Sequence, residues 1–303
     1  MKDLVSGAAI QALATATVSA DLAPTHIALF ERAAMGDQWI AYQDTGGSGP
    51  VVLCMPGIGD VRQEYRFLLP RLRDAGYRVL LMDLRGHGDS SVGFADYSPK
   101  AFAEDALTVL DQAKVVSAIL IGCSMSGGAI AWAAAKAPER VQALVMLSPF
   151  ARDQGQNGFR TSLNHLLYRI LFSRPWGATA WGQFYASLYR KTKPHDFSAY
   201  QAALVASLKE PGRLEALQVL MTVSHQATGA LLGQVKAPTL ILMGAADPDF
   251  SSPRQEGETL RQMLSGTSQV DVLEGLGHYP HVEDSQGVME RIQRFLAEVD
   301  HGT

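Results

Sequence analysis

Six short runs of almost unbroken hydrophobicity recur along the chain, and the segments between most of them carry helical spacing. The runs are VVLCM (51–55), YRVLLMD (77–83), SAILIG (117–122), VQALVML (141–147), PTLILMG (238–244) and SQVDVLE (268–274). A strand with one wet face alternates apolar and polar residues. Continuous runs of Val, Ile and Leu instead suit parallel strands covered on both faces. Helix-like segments fall at 61–74, 99–113, 126–137, 254–265 and 284–299. In the last, Val288, Ile292, Phe295, Leu296 and Val299 recur every three or four residues. Strand and helix in alternation predict an α/β fold with a doubly wound, mostly parallel sheet, its crossovers right-handed. Two earlier candidates, IALFERAA (27–34) and WIAYQDTG (39–46), suit an antiparallel edge hairpin.

Between Phe150 and Lys236 the alternation stops. The stretch reads as several helices, GFRTSLNHLLYRILFS (158–173), PWGATAWGQFYASLYR (175–190), DFSAYQAALVASLK (196–209) and GRLEALQVLMTVSHQATGALL (212–232), with Pro175, Pro194 and Pro211 near their starts. It holds eleven of the 24 aromatic residues (4 Trp, 9 Tyr, 11 Phe). The expected division is therefore a core of 27–149 and 237–303, an all-helical insertion at 150–236, and an N-terminal extension at 1–26. The extension begins MKDLVSGAAIQALATATVSA, whose VSA imitates a cleavage site. Asp3 and Gln11 interrupt the leader-like pattern, so a short helix on the body is expected. No run of about 18 apolar residues predicts a transmembrane span.

The 303 residues suffice for a large buried core, and 47% are hydrophobic against 18% charged. With 26 basic and 30 acidic residues the net charge is −4, without like-charge blocks, so a nucleic-acid partner is not expected. Cys54 and Cys123 lie in strand-like stretches, with no Cys or His at ligand spacing. That argues against a disulfide framework and against zinc, and fits a reducing cytoplasm.

The chemistry concentrates in LIGCSMSGGA (120–129), where a strand meets a helix rich in small residues. A serine on so sharp a turn exposes its hydroxyl, and the turn needs small residues two places to either side. Gly122 and Ser126 flank Ser124. In the other register Ser124 and Gly128 flank Ser126, at the cost of a shorter helix. Ser124 is the preferred nucleophile and Ser126 the alternative. Cys123 would point aside and pack.

Five stretches resemble the α/β-hydrolase superfamily, over about residues 27 to 300: CMPGIGD (54–60), LMDLRGHGDSS (81–91), IGCSMSGG (121–128), APTLILMGAADPDF (237–250) and LEGLGHYPHVEDSQGVMERIQRFL (273–296). The resemblance implies a triad in the order Ser124, Asp247, His278. The chemistry agrees with that order. A hydroxyl is a weak nucleophile until a base takes its proton, and imidazole suits that task near neutrality. A carboxylate on the far ring nitrogen fixes the tautomer. Asp249 is an alternative acid, and His281 an alternative base with a surface position as its plainer reading. His87 is expected to support its turn. His165, His195 and His225 lie in the insertion and are expected to be surface or cap-packing residues, with substrate contact as the lesser alternative.

The resemblance further implies an oxyanion hole from the backbone N–H groups of Ile58 and Met125. Pro56 stands where the family usually has a histidine that braces this loop, so that brace is missing. The Met125 side chain is also a candidate for the pocket wall. The insertion would form a cap, with Phe150, Trp181, Tyr185 and Tyr279 as candidate substrate contacts. No Arg or Lys cluster is evident there, which favours an apolar ester or acyl substrate. The expected activity is ester hydrolysis through an acyl-enzyme, with no metal or organic cofactor. Thioester hydrolysis, carbon–carbon bond hydrolysis and cofactor-free perhydrolysis remain open on the same scaffold, as does a small-molecule receptor with slow or no turnover. A serine at the elbow argues against dehalogenase or epoxide hydrolase chemistry, which forms an ester on a carboxylate.

Overall fold

A computed structural model describes residues 29–153, 166–190 and 192–301. The extension expected at 1–26, and part of the first helix expected in the insertion, lie outside the described residues. Among the described residues eight strands make one sheet: β1 (Leu29–Met35), β2 (Gln38–Asp44), β3 (Val51–Met55), β4 (Arg78–Met82), β5 (Ala118–Cys123), β6 (Val141–Leu147), β7 (Thr239–Gly244) and β8 (Ser268–Leu273). Their spatial order is β1-β2-β4-β3-β5-β6-β7-β8. The pairings from β4 through β8 are parallel. β1 with β2, and β2 with β4, are antiparallel, as the edge hairpin predicted.

The helices are α1 (Leu69–Asp74), α2 (Pro99–Gln112), α3 (Met125–Lys136), α4 (Gly177–Ser187), α5 (Phe197–Leu208), α6 (Arg213–Leu220), α7 (Gln226–Leu231), α8 (Pro253–Met263), α9 (Pro280–Glu283) and α10 (Ser285–His301), together with a helical stretch at 166–171. Every residue of β5 and β7 is buried, which explains their unbroken hydrophobicity. Alternate residues feed two cores. Leu53, Leu80 and Leu144 pack on one face with Phe102 of α2 and Ile130 of α3. Val52, Val79 and Val145 pack on the other with Leu72 of α1 and Ile292 and Phe295 of α10.

Two predicted helices are corrected. Segment 61–74 opens as a 3-10 turn, Arg62–Phe67, before α1. Pro70 sits at the start of α1, where its missing N–H is tolerated and a continuous helix from 61 is not. Segment 212–232 breaks at 221–225. There the Asp153 carboxylate accepts from the Ser224 hydroxyl at 2.9 Å and from the His225 backbone N–H at 2.8 Å. Such side-chain bonds compete with helix propagation.

The bend after β5 is forced. Ser124 has φ 55° and ψ −126°, a left-handed backbone uncommon for a non-glycine residue. A Cβ at position 122 would lie 2.5 Å from the Ser126 carbonyl oxygen, and one at 127 would lie 2.4 Å from Pro149 Cβ. Only glycine allows the strand end and the first turn of α3 to come so close. Nearby, Asp83 at the end of β4 accepts from the Arg62 N–H at 2.7 Å and the Asp89 N–H at 3.0 Å, while Arg85 forks onto Asp105 at 2.7 and 2.6 Å. These bonds fix the LRGHGDSS turn beside the loop that follows β3.

Gly122→Ala is expected to cost about 1–3 kcal/mol of unfolding free energy, the usual range for overpacking against rigid backbone. The control Gly233→Ala, whose Cβ would have only the Met263 carbonyl oxygen near it at 3.8 Å, should stay within about 0.5 kcal/mol. Urea unfolding measures both; equal losses would contradict the packing account.

Candidate active site

Ser124 stands at the carboxyl edge of β5, Asp247 follows β7 and His278 follows β8, so three loops meet at one end of the sheet. Asp247 Oδ2 lies 2.8 Å from His278 Nδ1, and its other oxygen accepts from the Asp249 N–H at 3.0 Å. Both side chains of the Asp247–His278 pair are shielded from water. Asp249, the alternative acid, stands farther from the same ring nitrogen, at 3.6 Å. The His278 backbone N–H donates to the Leu188 carbonyl at 2.9 Å, which ties the histidine loop to the end of α4. A Cβ at Gly277 would lie 2.1 Å from that same carbonyl. The residue before the histidine must therefore lack a side chain.

Ser124, 6% exposed, and His278 both line a cavity of about 380 Å³. Among the described residues, the side-chain hydrogen bond of the His278 ring runs to Asp247 and none joins it to the serine hydroxyl. Ile58 and Met125 also line the cavity. Met125 opens α3, where a backbone N–H has no partner within the helix. Ile58 sits between two pinned neighbours. The Gly57 N–H donates to Glu64 Oε2 at 2.7 Å, and the Gly59 N–H to His87 Nε2 at 2.9 Å. Ser126, the alternative nucleophile, is fully buried and donates its hydroxyl to the Pro56 carbonyl at 2.6 Å. The brace expected to be missing at Pro56 is thus supplied from elsewhere, by Glu64, His87 and Ser126.

Phe150, Trp181 and Tyr279 line the cavity, as do Phe184, Leu188 and Met221 from the 150–236 segment. Phe150 stacks on Phe250 at 4.8 Å and lies 6.0 Å from the His278 ring. Tyr185 is corrected: it faces away from the cavity, buried among Tyr189, Phe197, Tyr200 and Tyr279, with its hydroxyl 2.7 Å from that of Tyr189. His281, given a surface position in its plainer reading, is wholly buried against Tyr65. Arg152 and His225 reach the cavity wall, which sequence spacing did not reveal because Asp153 draws the 221–225 break toward them. Cys123 is buried beneath the elbow, and burial pushes its thiol pKa up, so it stays protonated.

Two groups of potential ligand atoms lie within 4.8 Å of one another among the described residues: Asp247, Asp249 and His278, and Glu64, Cys123 and His281. In the first, Asp247 and His278 already bond to each other. None of the second lines the cavity.

Burial alone would lower the His278 pKa. The charge and hydrogen bond of Asp247 outweigh it, with help from Asp249 and Glu64, and raise the value to about 9.

A serine bend and a carboxylate-bonded imidazole at the carboxyl edge of a mostly parallel sheet define the α/β-hydrolase class. The chain belongs to that family: the model of the alpha/beta hydrolase fold matches residues 50–285. It is 26% identical over 258 residues to a rice (Oryza sativa subsp. japonica) protein named as a probable esterase, covering 82% of this chain and 92% of that one. Over 108 residues it is 36% identical to "Bifunctional epoxide hydrolase 2" of Sus scrofa, covering 34% of this chain and only 19% of that relative's length. An esterase from Thermogutta terrifontis superposes with a TM-score of 0.76 at 22% identity, covering 90% of this chain and 99% of that one, which shows a common fold.

In NMR titrations of the full chain, the His278 ring should change protonation near 9. Asp249→Asn should bring that midpoint down, and Asp247→Asn should bring it down further. A wild-type midpoint at or below the ordinary histidine value of about 6.5 would contradict the ordering of these charges.

Proposed function

We propose that this protein is a serine hydrolase that cleaves a carboxylic ester, or a related acyl compound, of apolar character through an acyl-enzyme. One observation carries the reading: the serine on the strained bend opens into the same cavity as an imidazole whose far nitrogen is held by a buried carboxylate.

The steps follow from that geometry. Asp247 holds the Nδ1–H tautomer, which leaves Nε2 to act as base. Nε2 takes the Ser124 proton as Oγ bonds to the substrate carbonyl carbon, and the carbonyl π electrons move to oxygen. The resulting oxyanion accepts from the N–H groups of Met125 and Ile58, each worth several kcal/mol where charge develops. Collapse of this intermediate breaks the carbon–oxygen bond, and imidazolium returns its proton to the departing alcohol. Water, deprotonated by the same imidazole, then attacks the acyl-enzyme and frees the acid and Ser124.

Residues 150–236 serve in this reading as a cap. Trp181, Phe184, Leu188 and Met221 supply an apolar wall suited to an aliphatic or ring-bearing group. No helix among the described residues is long and apolar enough to cross a membrane. The cavity volume of about 380 Å³ suits a small-molecule substrate. A serine at the elbow, instead of a carboxylate, separates the proposed chemistry from that named for the epoxide hydrolase relative.

A panel of p-nitrophenyl esters and matched thioesters tests the reading. Ser124→Ala should lower kcat/KM by roughly 10⁴–10⁶, while Ser126→Ala should retain turnover within a factor of roughly 10². Full activity in Ser124→Ala, or equal loss in both variants, would refute the assignment.

Because the base must be neutral, kcat/KM should rise with pH through the His278 transition near 9. Asp249→Asn should move this acid limb to lower pH. A limb that does not shift, or one at ordinary histidine values, would contradict the assignment of the base.

A further inference from the structure

Glu64 belongs to the 3-10 turn behind the loop that follows β3, and its side chain is fully buried outside the cavity. One carboxylate there meets three functional loops. Oε2 accepts the Gly57 N–H at 2.7 Å, next to the proposed oxyanion donor Ile58. Oε1 stands 2.9 Å from His281 Nε2, three residues beyond the proposed base, although the ring N–H is not aimed along that line. The thiol of Cys123, the residue before Ser124, stands beside the same carboxylate. These oxygen, nitrogen and sulfur atoms lie within 4.8 Å of one another. Stacking on Tyr65, at 5.0 Å between ring centres and 29° between planes, holds the His281 ring in place. A Cβ on Gly57 would lie 3.4 Å from Ser124 Cβ and 3.5 Å from Glu64 Oε2. The loop is therefore a single peptide layer between the buried carboxylate and the nucleophile.

Resting on the hydrolase reading above, we propose that Glu64, with His281 as its buried counterpart, is a positioning residue that aims the Ile58 N–H at the oxyanion formed on Ser124. The physical reason lies in the backbone. A charge-assisted bond from Gly57 to a carboxylate is short and stiff. The Gly59 N–H is pinned independently to His87 at 2.9 Å. With both neighbours fixed, the one N–H between them has little freedom to turn. In water an oxyanion donor must reorient as charge develops, and a donor already aimed avoids that cost. Glu64 thus performs the bracing that a histidine at position 56 would provide, from a turn later in the chain.

A buried pair that served stability alone would make a different prediction, and three measurements separate the two. Active sites are counted with a phosphonate, so that kcat is expressed per folded site. Steady-state kinetics on one p-nitrophenyl ester give kcat and KM. Phenylboronic acid, which forms a tetrahedral adduct with the serine, reports on oxyanion binding. Glu64→Ala should lower per-site kcat by roughly 10²–10³, with KM within about threefold, and weaken phenylboronic acid in proportion. Glu64→Gln, whose amide oxygen can still accept from Gly57, should recover to within about tenfold of wild type. Should Glu64→Ala not fold, His281→Gln leaves Glu64 in place and removes its counterpart. That variant should lower per-site kcat and phenylboronic acid affinity together by about tenfold at nearly constant KM.

Wild-type per-site kcat in Glu64→Ala or His281→Gln would overturn the proposal, and so would a kcat loss without a matching loss of boronate affinity. Ser124→Ala distinguishes the two levels. If it is inactive while the Glu64 and His281 variants turn over normally per site, only this inference fails. If it remains active, the hydrolase reading fails as well.

Discussion

The left-handed bend at Ser124 is the constraint on which the remaining structure depends. It places a polar side chain at the end of a fully buried strand without breaking the sheet. Such a backbone is unfavourable for a serine by itself and persists only where surrounding packing over-determines it. Here the Gly122 backbone meets that of Ser126, and Gly127 meets Pro149. The Ser124 carbonyl accepts from both Gly127 and Phe150, and its N–H donates to the Leu147 carbonyl. The backbone of the bend is thus locked from β6 as well as from its own helix.

Electrostatics around the bend come from charges removed from water. Asp247, Asp249 and Glu64 all favour the protonated imidazole of His278, and together they overcome burial. The arrangement stabilises the imidazolium that the proposed reaction forms, at the expense of the neutral base needed to begin it. Asp60, on the loop beside Ile58, is shifted the same way, but for a carboxyl group protonation removes charge. Burial and the nearby Glu64 raise its pKa to about 8, although bonds from Tyr200 at 2.5 Å and the Val61 N–H at 2.8 Å oppose the shift. A protonated Asp60 spares this loop a second full negative charge in an apolar interior.

Much of this was legible in the sequence because it is local. VVLCM and VQALVML coincide with β3 and β6, since unbroken hydrophobicity is what a strand covered on both faces requires. The small residues flanking Ser124 announce a tight bend because their reason lies within five positions of chain. What was not legible depends on partners brought from afar. His281 reads as the opening of a surface helix until the 3-10 turn of Glu64 and Tyr65 covers it. Tyr185 reads as a pocket aromatic, yet α4 directs it into a cluster with Tyr189 and Phe197 and turns Trp181 and Phe184 toward the cavity. Pro56 reads as a lost brace because the replacements, Glu64, His87 and Ser126, come from three different segments. The break at 221–225 depends on Asp153, about seventy residues earlier, and no helical periodicity could disclose it.

The central claim is that the hydroxyl of Ser124 is activated by its place on the bend and by His278. Reaction of the full chain with a fluorophosphonate, followed by peptide mass spectrometry, tests it most directly. One label per chain on the peptide position of Ser124, lost in His278→Ala with the fold intact, is the result this account predicts. A label on Ser126, or labelling of Ser124 that proceeds undiminished without His278, would contradict it.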